Sequence, residues 1–110
     1  NNITVMWNNN LYYWATGLIP PDNQWCYVAI TVDTNTVTVY LCQASGITSA
    51  TLSFARTAPV ALSPLRVGSD SVSYPRIFNG GIAQIQMYNR ALSSAEVTQN
   101  FNHAKAIFSI

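Results

Sequence analysis

Apolar and polar residues alternate most regularly between Trp25 and Leu41, in the stretch WCYVAITVDTNTVTVYL. Two runs rich in β-branched and aromatic residues flank a polar break at Asp33–Thr36, which is the pattern of a β-hairpin. A two-residue loop at Thr34–Asn35 would place six aliphatic side chains on one face: Val28, Ile30, Val32, Val37, Val39 and Leu41. A shift of one residue would scatter them, so we expect this register. Because such a face has to pack against a second layer, the stretch predicts the core hairpin of a β-sandwich.

Further strands are predicted on both sides of this central hairpin. Residues 3–7 and 11–16 should pair around a turn at 8–10. Later in the chain, the residue pattern predicts strands at 49–55, 65–68 and 82–88. The segment 69–81 contains Pro, Asn and Gly, and it is predicted to be a long surface loop.

The last part of the chain predicts a short helix. Ser93 and Glu96 have the spacing of a capping box, and Leu92 and Val97 have that of a hydrophobic staple. We expect a helix from Ser94 to about Lys105 with one side facing the sheet. That side is formed by Val97, Phe101 and Ala104.

Composition narrows the range of functions. Charged residues are 8% of the chain, against about 25% in most soluble domains. Polarity comes instead from 11 Asn, 10 Ser, 10 Thr and 5 Gln residues. This composition is typical of secreted and surface-exposed proteins. It is also typical of subunits that stack on one another, because a small net charge causes little repulsion between copies. A net charge of +1 with dispersed Lys and Arg argues against nucleic acid as a partner, and no apolar run is long enough to span a membrane.

The two cysteines have two alternative arrangements. With the two-residue loop, Cys26 and Cys42 point to opposite faces of the hairpin and stay unpaired. A three-residue loop would set them opposite each other, where a disulfide becomes feasible. Because that second register breaks up the aliphatic face, two unpaired cysteines are favoured.

Four motifs cover most of the chain from Gln24 to Phe101: NQW-x-YVAITVD, VTVYL, LRVGSD and RIFNGGIAQIQMYNRALSSAEV. Together they resemble the laminin-G-like, concanavalin A-like lectin/glucanase superfamily, and most closely its three-part bacterial and phage version. The last motif is the most specific, since it joins a strand to a capped helix at fixed spacing. The resemblance implies an all-β antiparallel jelly-roll sandwich with a short C-terminal helix.

Two features depart from this family pattern. Members commonly carry an acidic pair in the last strand, and here those positions are Ala83 and Gln84. The opening strands of the family also have no counterpart. We therefore expect residues 1–110 to be a single laminin-G-like domain without its N-terminal strands. Either a longer polypeptide or edge addition of another chain would complete it.

Hydrolysis is the first chemistry to weigh, because glucanases share the implied fold. A retaining glycosidase needs two carboxyl groups about 5 Å apart. The acidic residues offer no such pair on a strand, because they lie in predicted turns, a loop and a helix cap: Asp22, Asp33, Asp70 and Glu96. The single histidine, His103, is interpreted as a solvent-facing residue near the helix end. We therefore expect no enzymatic activity.

The loop 69–81 holds the candidate binding residues. Tyr74 is the strongest candidate for an exposed ligand contact, together with Asp70, Arg76 and Asn79. Asp70 and Asn79 are also candidate ligands of calcium, but one carboxylate makes a weak site, and a loop held by ordinary hydrogen bonds is favoured. No other cofactor is expected. Trp25 is interpreted as a packing anchor of the core.

These observations favour a non-catalytic binding or adhesion module of a cell-surface, secreted or virion protein. Carbohydrate, such as a surface glycan, is the ligand class that the resemblance implies. The alternative is a structural subunit that polymerises by strand complementation, with the missing strands supplied by a neighbour. A fragment of a glycoside hydrolase is the least favoured reading.

Overall fold

A computed structural model describes residues 2–7, 12–53, 66–69 and 77–110, with two antiparallel sheets and one helix. The elements in chain order are β1 (Thr4–Trp7), β2 (Tyr12–Ala15), β3 (Tyr27–Val32), β4 (Thr36–Gln43), β5 (Gly46–Ser53) and α1 (Ser94–Phe108). β1 pairs with β2, and a three-stranded sheet has the order β3-β4-β5. The predicted class, antiparallel β-structure with a short C-terminal helix, is confirmed.

The central hairpin has the predicted register. Its cross-strand partners are Val28 and Leu41, Ile30 and Val39, and Val32 and Val37. The N–H of Asp33 donates to the carbonyl of Thr36 at 2.9 Å, which closes the two-residue loop. The aliphatic side chains that the sequence grouped on one face therefore do lie on one face.

Burial of that face differs between the two strands. On β4, Val37, Val39 and Leu41 are buried, but on β3 Val28 is 42% exposed and Ile30 is 51% exposed. The prediction that all six side chains are buried is therefore wrong for β3. The reason is position in the sheet: β4 lies between two strands, whereas no described strand lies on the outer side of β3.

The helix packs on the opposite face of the sheet. Val97 and Phe101 form a buried cluster with Cys42, and partly buried apolar side chains surround it: Tyr27, Ala29, Tyr40, Leu92 and Ile110. The prediction that Val97, Phe101 and Ala104 face the sheet is confirmed, since all three are buried. In the described part of the chain, α1 therefore covers the face of the three-stranded sheet that carries aromatic and small side chains. The aliphatic side chains of the β3–β4 hairpin lie on the opposite face of the sheet.

The capping box predicted for the helix is present. The hydroxyl of Ser93 accepts from the N–H of Glu96, and a carboxylate oxygen of Glu96 accepts from the N–H of Ser93 at 2.8 Å. The helix continues three residues beyond Lys105, to Phe108, and ends at Ser109, which has a left-handed backbone conformation. Satisfying two N-terminal N–H groups fixes where the helix begins.

Three predicted strand positions need correction. β5 begins at Gly46 rather than at residue 49, because the ladder to β4 resumes directly after a turn at 44–45. Of the predicted strand at 65–68, residue 65 lies outside the described residues and 66–68 are not a strand. Residues 82–88 are not a strand either. Among the described residues near 66–68, the pairing consists of one bridge between Ser69 and Ile77. Residues 82–88 have no ladder partner in the described part of the chain. An alternating pattern yields a strand only where a second strand pairs with it.

Candidate functional site

A groove with a volume of about 1520 Å³ runs along the outer side of β3. Residues 20–32, which include β3, form one wall, and the 78–90 segment forms the opposite wall. Side chains near the end of α1 also line it, among them Ala104 and Phe108. The groove thus lies where the edge of the three-stranded sheet meets a segment without regular structure.

The 78–90 segment is attached at both ends. At its start, the N–H of Phe78 donates to the carbonyl of Gly68 at 2.8 Å. Near its end, the hydroxyl of Tyr88 accepts from the side-chain amide of Asn100 on α1 at 3.0 Å. Between these attachments no backbone hydrogen bond joins residues 82–88 to another described residue. The segment is therefore held across the groove without being paired to β3.

The hairpin register determines which backbone groups β3 presents to this groove. Asp33 and Thr36 are a hydrogen-bonded pair, and along an antiparallel ladder such pairs alternate with non-hydrogen-bonded pairs. Ala29 and Thr31 lie four and two residues before Asp33, so their backbone N–H and C=O groups form hydrogen bonds with β4. The N–H and C=O groups that point outward are those of Val28, Ile30 and Val32.

One end of the groove is formed by aromatic rings lying against glycine backbone. A Cβ atom on Gly81 would lie 3.0 Å from the indole of Trp25, and one on Gly80 would lie 2.9 Å from the ring of Phe78. The rings of Trp25 and Phe108 are 6.5 Å apart between centroids. We call these residues, Trp25, Phe78, Gly80, Gly81 and Phe108, the Trp25 corner. A side chain at either glycine would crowd the neighbouring ring, which would then have to shift.

The charged side chains that line the groove are few. Among its described lining residues, Asp22 is the only acid and Arg90 the only base. Arg90 makes two hydrogen bonds, of 2.6 and 2.9 Å, to the two carboxylate oxygens of Glu96. This contact and the backbone N–H of Ser93 lower the pKa of Glu96 to about 2, and Glu96 in turn raises the pKa of Arg90. The positive charge of Arg90 is therefore paired, and the groove is close to neutral.

The predicted ligand residues are only partly covered by the structure. Asp70, Tyr74 and Arg76 lie outside the described residues. Asn79 is exposed and lines the groove beside Phe78. The calcium site with Asp70 and Asn79 stays a prediction.

Trp25 differs from its interpretation as a core anchor. Its side chain is 47% exposed, and it touches Gly81 at the rim of the groove. Phe78 was not singled out from the sequence, although it is 58% exposed at the same corner. The signal that could have indicated this corner is the Gly80–Gly81 pair, which begins two residues after Phe78, since adjacent glycines permit close approach of other groups.

The two cysteines are unpaired, as predicted. Cys42 is fully buried beneath α1, while Cys26 is only partly buried where the chain enters β3. Burial raises the pKa of the Cys42 thiol to about 11, with a smaller contribution from Cys26, and burial also raises the pKa of Cys26. Neither thiol is an activated nucleophile, because activation requires a lowered pKa.

Two antiparallel sheets followed by a capped C-terminal helix are consistent with a partial concanavalin A-like β-sandwich. A family model, Laminin_G_3 of the concanavalin A-like lectin/glucanases superfamily, matches residues 1–98. The chain belongs to this family. Neither the curated proteins nor the solved structures contain a match to the chain. The helix in the described part of the chain lacks the length and apolar character needed to cross a bilayer.

Proposed function

We propose that this protein is a non-catalytic binding module of a cell-surface, secreted or virion protein, and that its ligand is a carbohydrate bound at the Trp25 corner. The observation that supports this most directly is the exposure of two aromatic rings, Trp25 and Phe78, at one end of an open groove. Aromatic rings offer an apolar face, and the neighbouring side chains supply polar contacts.

The amide side chains around the corner suit a ligand that is neutral and rich in hydroxyl groups. Gln24 and Asn79 flank the two rings, and Gln84 and Gln86 follow along the opposite wall. Each amide offers both donors and an acceptor, so it can bind a hydroxyl group in either sense. A strongly charged ligand would find no free counter-charge beyond Asp22, because Arg90 is paired with Glu96.

The proposal is non-catalytic because the groove offers one carboxylate where glycoside hydrolysis uses two. Asp22 is the only acidic side chain among the described lining residues, and it lies in an exposed turn. Glu96 is already used by the helix cap and by Arg90. A retaining or inverting mechanism requires a pair of carboxyl groups flanking the scissile bond.

Glycan-array binding by the 110-residue chain tests this function. We expect retention on at least one glycan, with an affinity that falls about tenfold or more in Trp25→Ala and in Phe78→Ala, because each loses a ring platform. Tyr13→Ala is the matched control, since Tyr13 is 65% exposed on β2 and does not line the groove. An array without any retained glycan, or equal affinities of all variants, would contradict the proposal.

The open edge of β3 favours a second candidate, a structural subunit completed by a strand from a neighbour. Val28 and Ile30 are exposed on the aliphatic face, and their outward backbone groups have no described partner. Unpaired edges of this kind promote pairing with another chain. Analytical ultracentrifugation separates the two candidates: a binding module sediments as a monomer, and a structural subunit forms concentration-dependent polymers.

A further inference from the structure

We infer that the outer edge of β3 is an acceptor site for one extended, uncharged peptide strand of a partner protein, with apolar residues at alternate positions. This inference rests on the second proposed function and specifies the groups that make it work. The acceptor groups are the outward N–H and C=O groups of Val28, Ile30 and Val32.

The backbone of β3 requires a strand rather than a helix or a small ligand. Three outward-facing residues, two positions apart, present N–H and C=O groups at the spacing of a sheet edge. An extended backbone is the structure that satisfies all of them at once, and addition of a strand to an exposed edge is an established mode of peptide recognition.

The side chains on this edge indicate which residues the partner strand should carry. Val28 and Ile30 are half-exposed, while their cross-strand partners Leu41 and Val39 are buried. An added strand with apolar residues on the same face would cover the two exposed side chains and extend the buried layer of β4. Burial of apolar surface contributes about 25 cal/mol per Å², so alternate apolar residues add affinity to the backbone hydrogen bonds.

The opposite wall can pair with the same strand. Residues 82–88 line the groove without backbone partners among the described residues, and the segment carries exposed Ile82, Ile85 and Met87. A strand placed between β3 and this wall would have groups to bond on both of its sides. A strand inserted between the two walls can therefore form more backbone hydrogen bonds than a strand added to an isolated edge.

The partner strand should be uncharged because the groove is close to neutral. Only Asp22 and the paired Arg90 carry charge among the described lining residues. The strand itself, YVAITV, contains no Lys, Pro or acidic residue, and these are the residue types that natural proteins use to block strand addition at an edge. A charged strand would lose solvation without gaining a partner.

A peptide-binding experiment on the full chain tests the inference. The probe is a fluorescently labelled peptide, acetyl-Thr-Val-Thr-Ile-Thr-Val-Thr-amide, and the readout is fluorescence anisotropy. Ile30→Pro removes an outward N–H without removing a bond to β4, so the sheet should fold and peptide affinity should fall about tenfold or more. Ile30→Thr is the matched control, because it keeps the N–H and the strand propensity; its affinity should fall less.

Two further measurements make each outcome decisive. Circular dichroism reports whether Ile30→Pro is folded; should it not be, Val28→Lys replaces it, since a charge on the edge blocks addition while the backbone is kept. Equal peptide affinity of the folded edge variant and the native chain, or no binding by the native chain, would overturn the inference. If the folded edge variant still forms polymers, the assignment of the acceptor site to β3 would be overturned, while the proposed structural function would stand. If the edge variant abolishes polymers that the native chain forms, a second copy supplies the strand, which would overturn the assignment to a partner protein.

Discussion

Glu96 connects the start of α1 to the wall of the groove. Its carboxylate accepts from the N–H of Ser93 in the capping box and also from the guanidinium of Arg90, the residue that ends the 78–90 segment. Both contacts favour the ionised carboxylate, and they lower its pKa from 4.5 to about 2. One side chain therefore fixes where the helix begins and where the groove wall ends.

We expect Glu96→Gln to lower the melting temperature at neutral pH and to lower it progressively less as the pH falls towards 2. Because the pKa is lowered in the folded state, Glu96 stabilises the fold fully above pH 4.5, and this contribution is lost as the pH falls through about 2. Thermal unfolding between pH 2 and pH 7 measures the difference between the two chains. High salt should reduce it, since the pair is exposed. A difference that stays constant with pH would contradict the assignment.

Cys42 and Cys26 should differ in reactivity towards iodoacetamide. Cys42 is fully buried and has a pKa of about 11, whereas Cys26 is partly exposed. Since the thiolate is the reactive form, Cys26 should be alkylated first at pH 8 in the folded chain, and both should react in denaturant. Peptide mapping by mass spectrometry reports the two sites separately. Equal rates in the folded chain would show that α1 does not cover Cys42.

Among the elements, α1 provides most of the described packing on its face of the sheet. Phe101 is buried against Cys42 and Val97, and its ring lies 6.3 Å from that of Tyr27 on β3. The helix contacts the sheet next to the groove, so its position also determines where Tyr88 is held. Loss of this contact would therefore loosen one wall of the groove.

We expect Phe101→Ala to destabilise the fold by about 3 kcal/mol or more, because removal of a buried aromatic ring loses its transfer free energy and leaves a cavity. Urea unfolding followed by circular dichroism measures the free energy of unfolding. Ile107→Ala is the control on the same helix; Ile107 is 55% exposed, and its loss should change stability by about 0.5 kcal/mol or less. Similar losses in both variants would contradict the packing described for α1.

The elements also show how far sequence reasoning reaches. The β3–β4 register and the capping box were predicted because each depends on residues close together in the chain. Residues 82–88 were wrongly predicted as a strand, since the alternation of Ile, Gln and Met does not reveal whether a partner lies beside them. The exposure of Val28 and Ile30 was missed for the same reason. At the Trp25 corner, the Gly80–Gly81 pair indicates only that other groups can approach closely. Which rings approach depends on contacts between residues 25, 78–81 and 108, and the local pattern does not encode these contacts.

At the scale of the whole molecule, the open edge of β3 and the low net charge act together. With a net charge of +1, long-range repulsion between copies is small, so contacts at exposed edges determine association. The two candidate functions use different parts of the same groove: a glycan would occupy the Trp25 corner, and a strand would occupy the edge from Val28 to Val32. An occupied edge would narrow access to the corner, so we expect the two ligands to compete.

That competition can be measured directly. Addition of the acetyl-Thr-Val-Thr-Ile-Thr-Val-Thr-amide peptide should release the chain from an immobilised glycan that it binds, because both ligands share a groove of about 1520 Å³. A charged peptide of the same length, with Lys in place of Val and Ile, is the control and should release nothing. Simultaneous binding of glycan and uncharged peptide would show that the two sites are separate.

Amide hydrogen exchange along β3, measured by NMR on the monomeric chain, tests most directly whether its outer edge is open. The N–H groups of Ala29 and Thr31 bond to β4 and should exchange slowly. The N–H groups of Val28, Ile30 and Val32 should exchange fast and become protected when the uncharged peptide binds. Uniform protection of all five amides in the peptide-free monomer would mean that the edge is already paired, which would contradict the account.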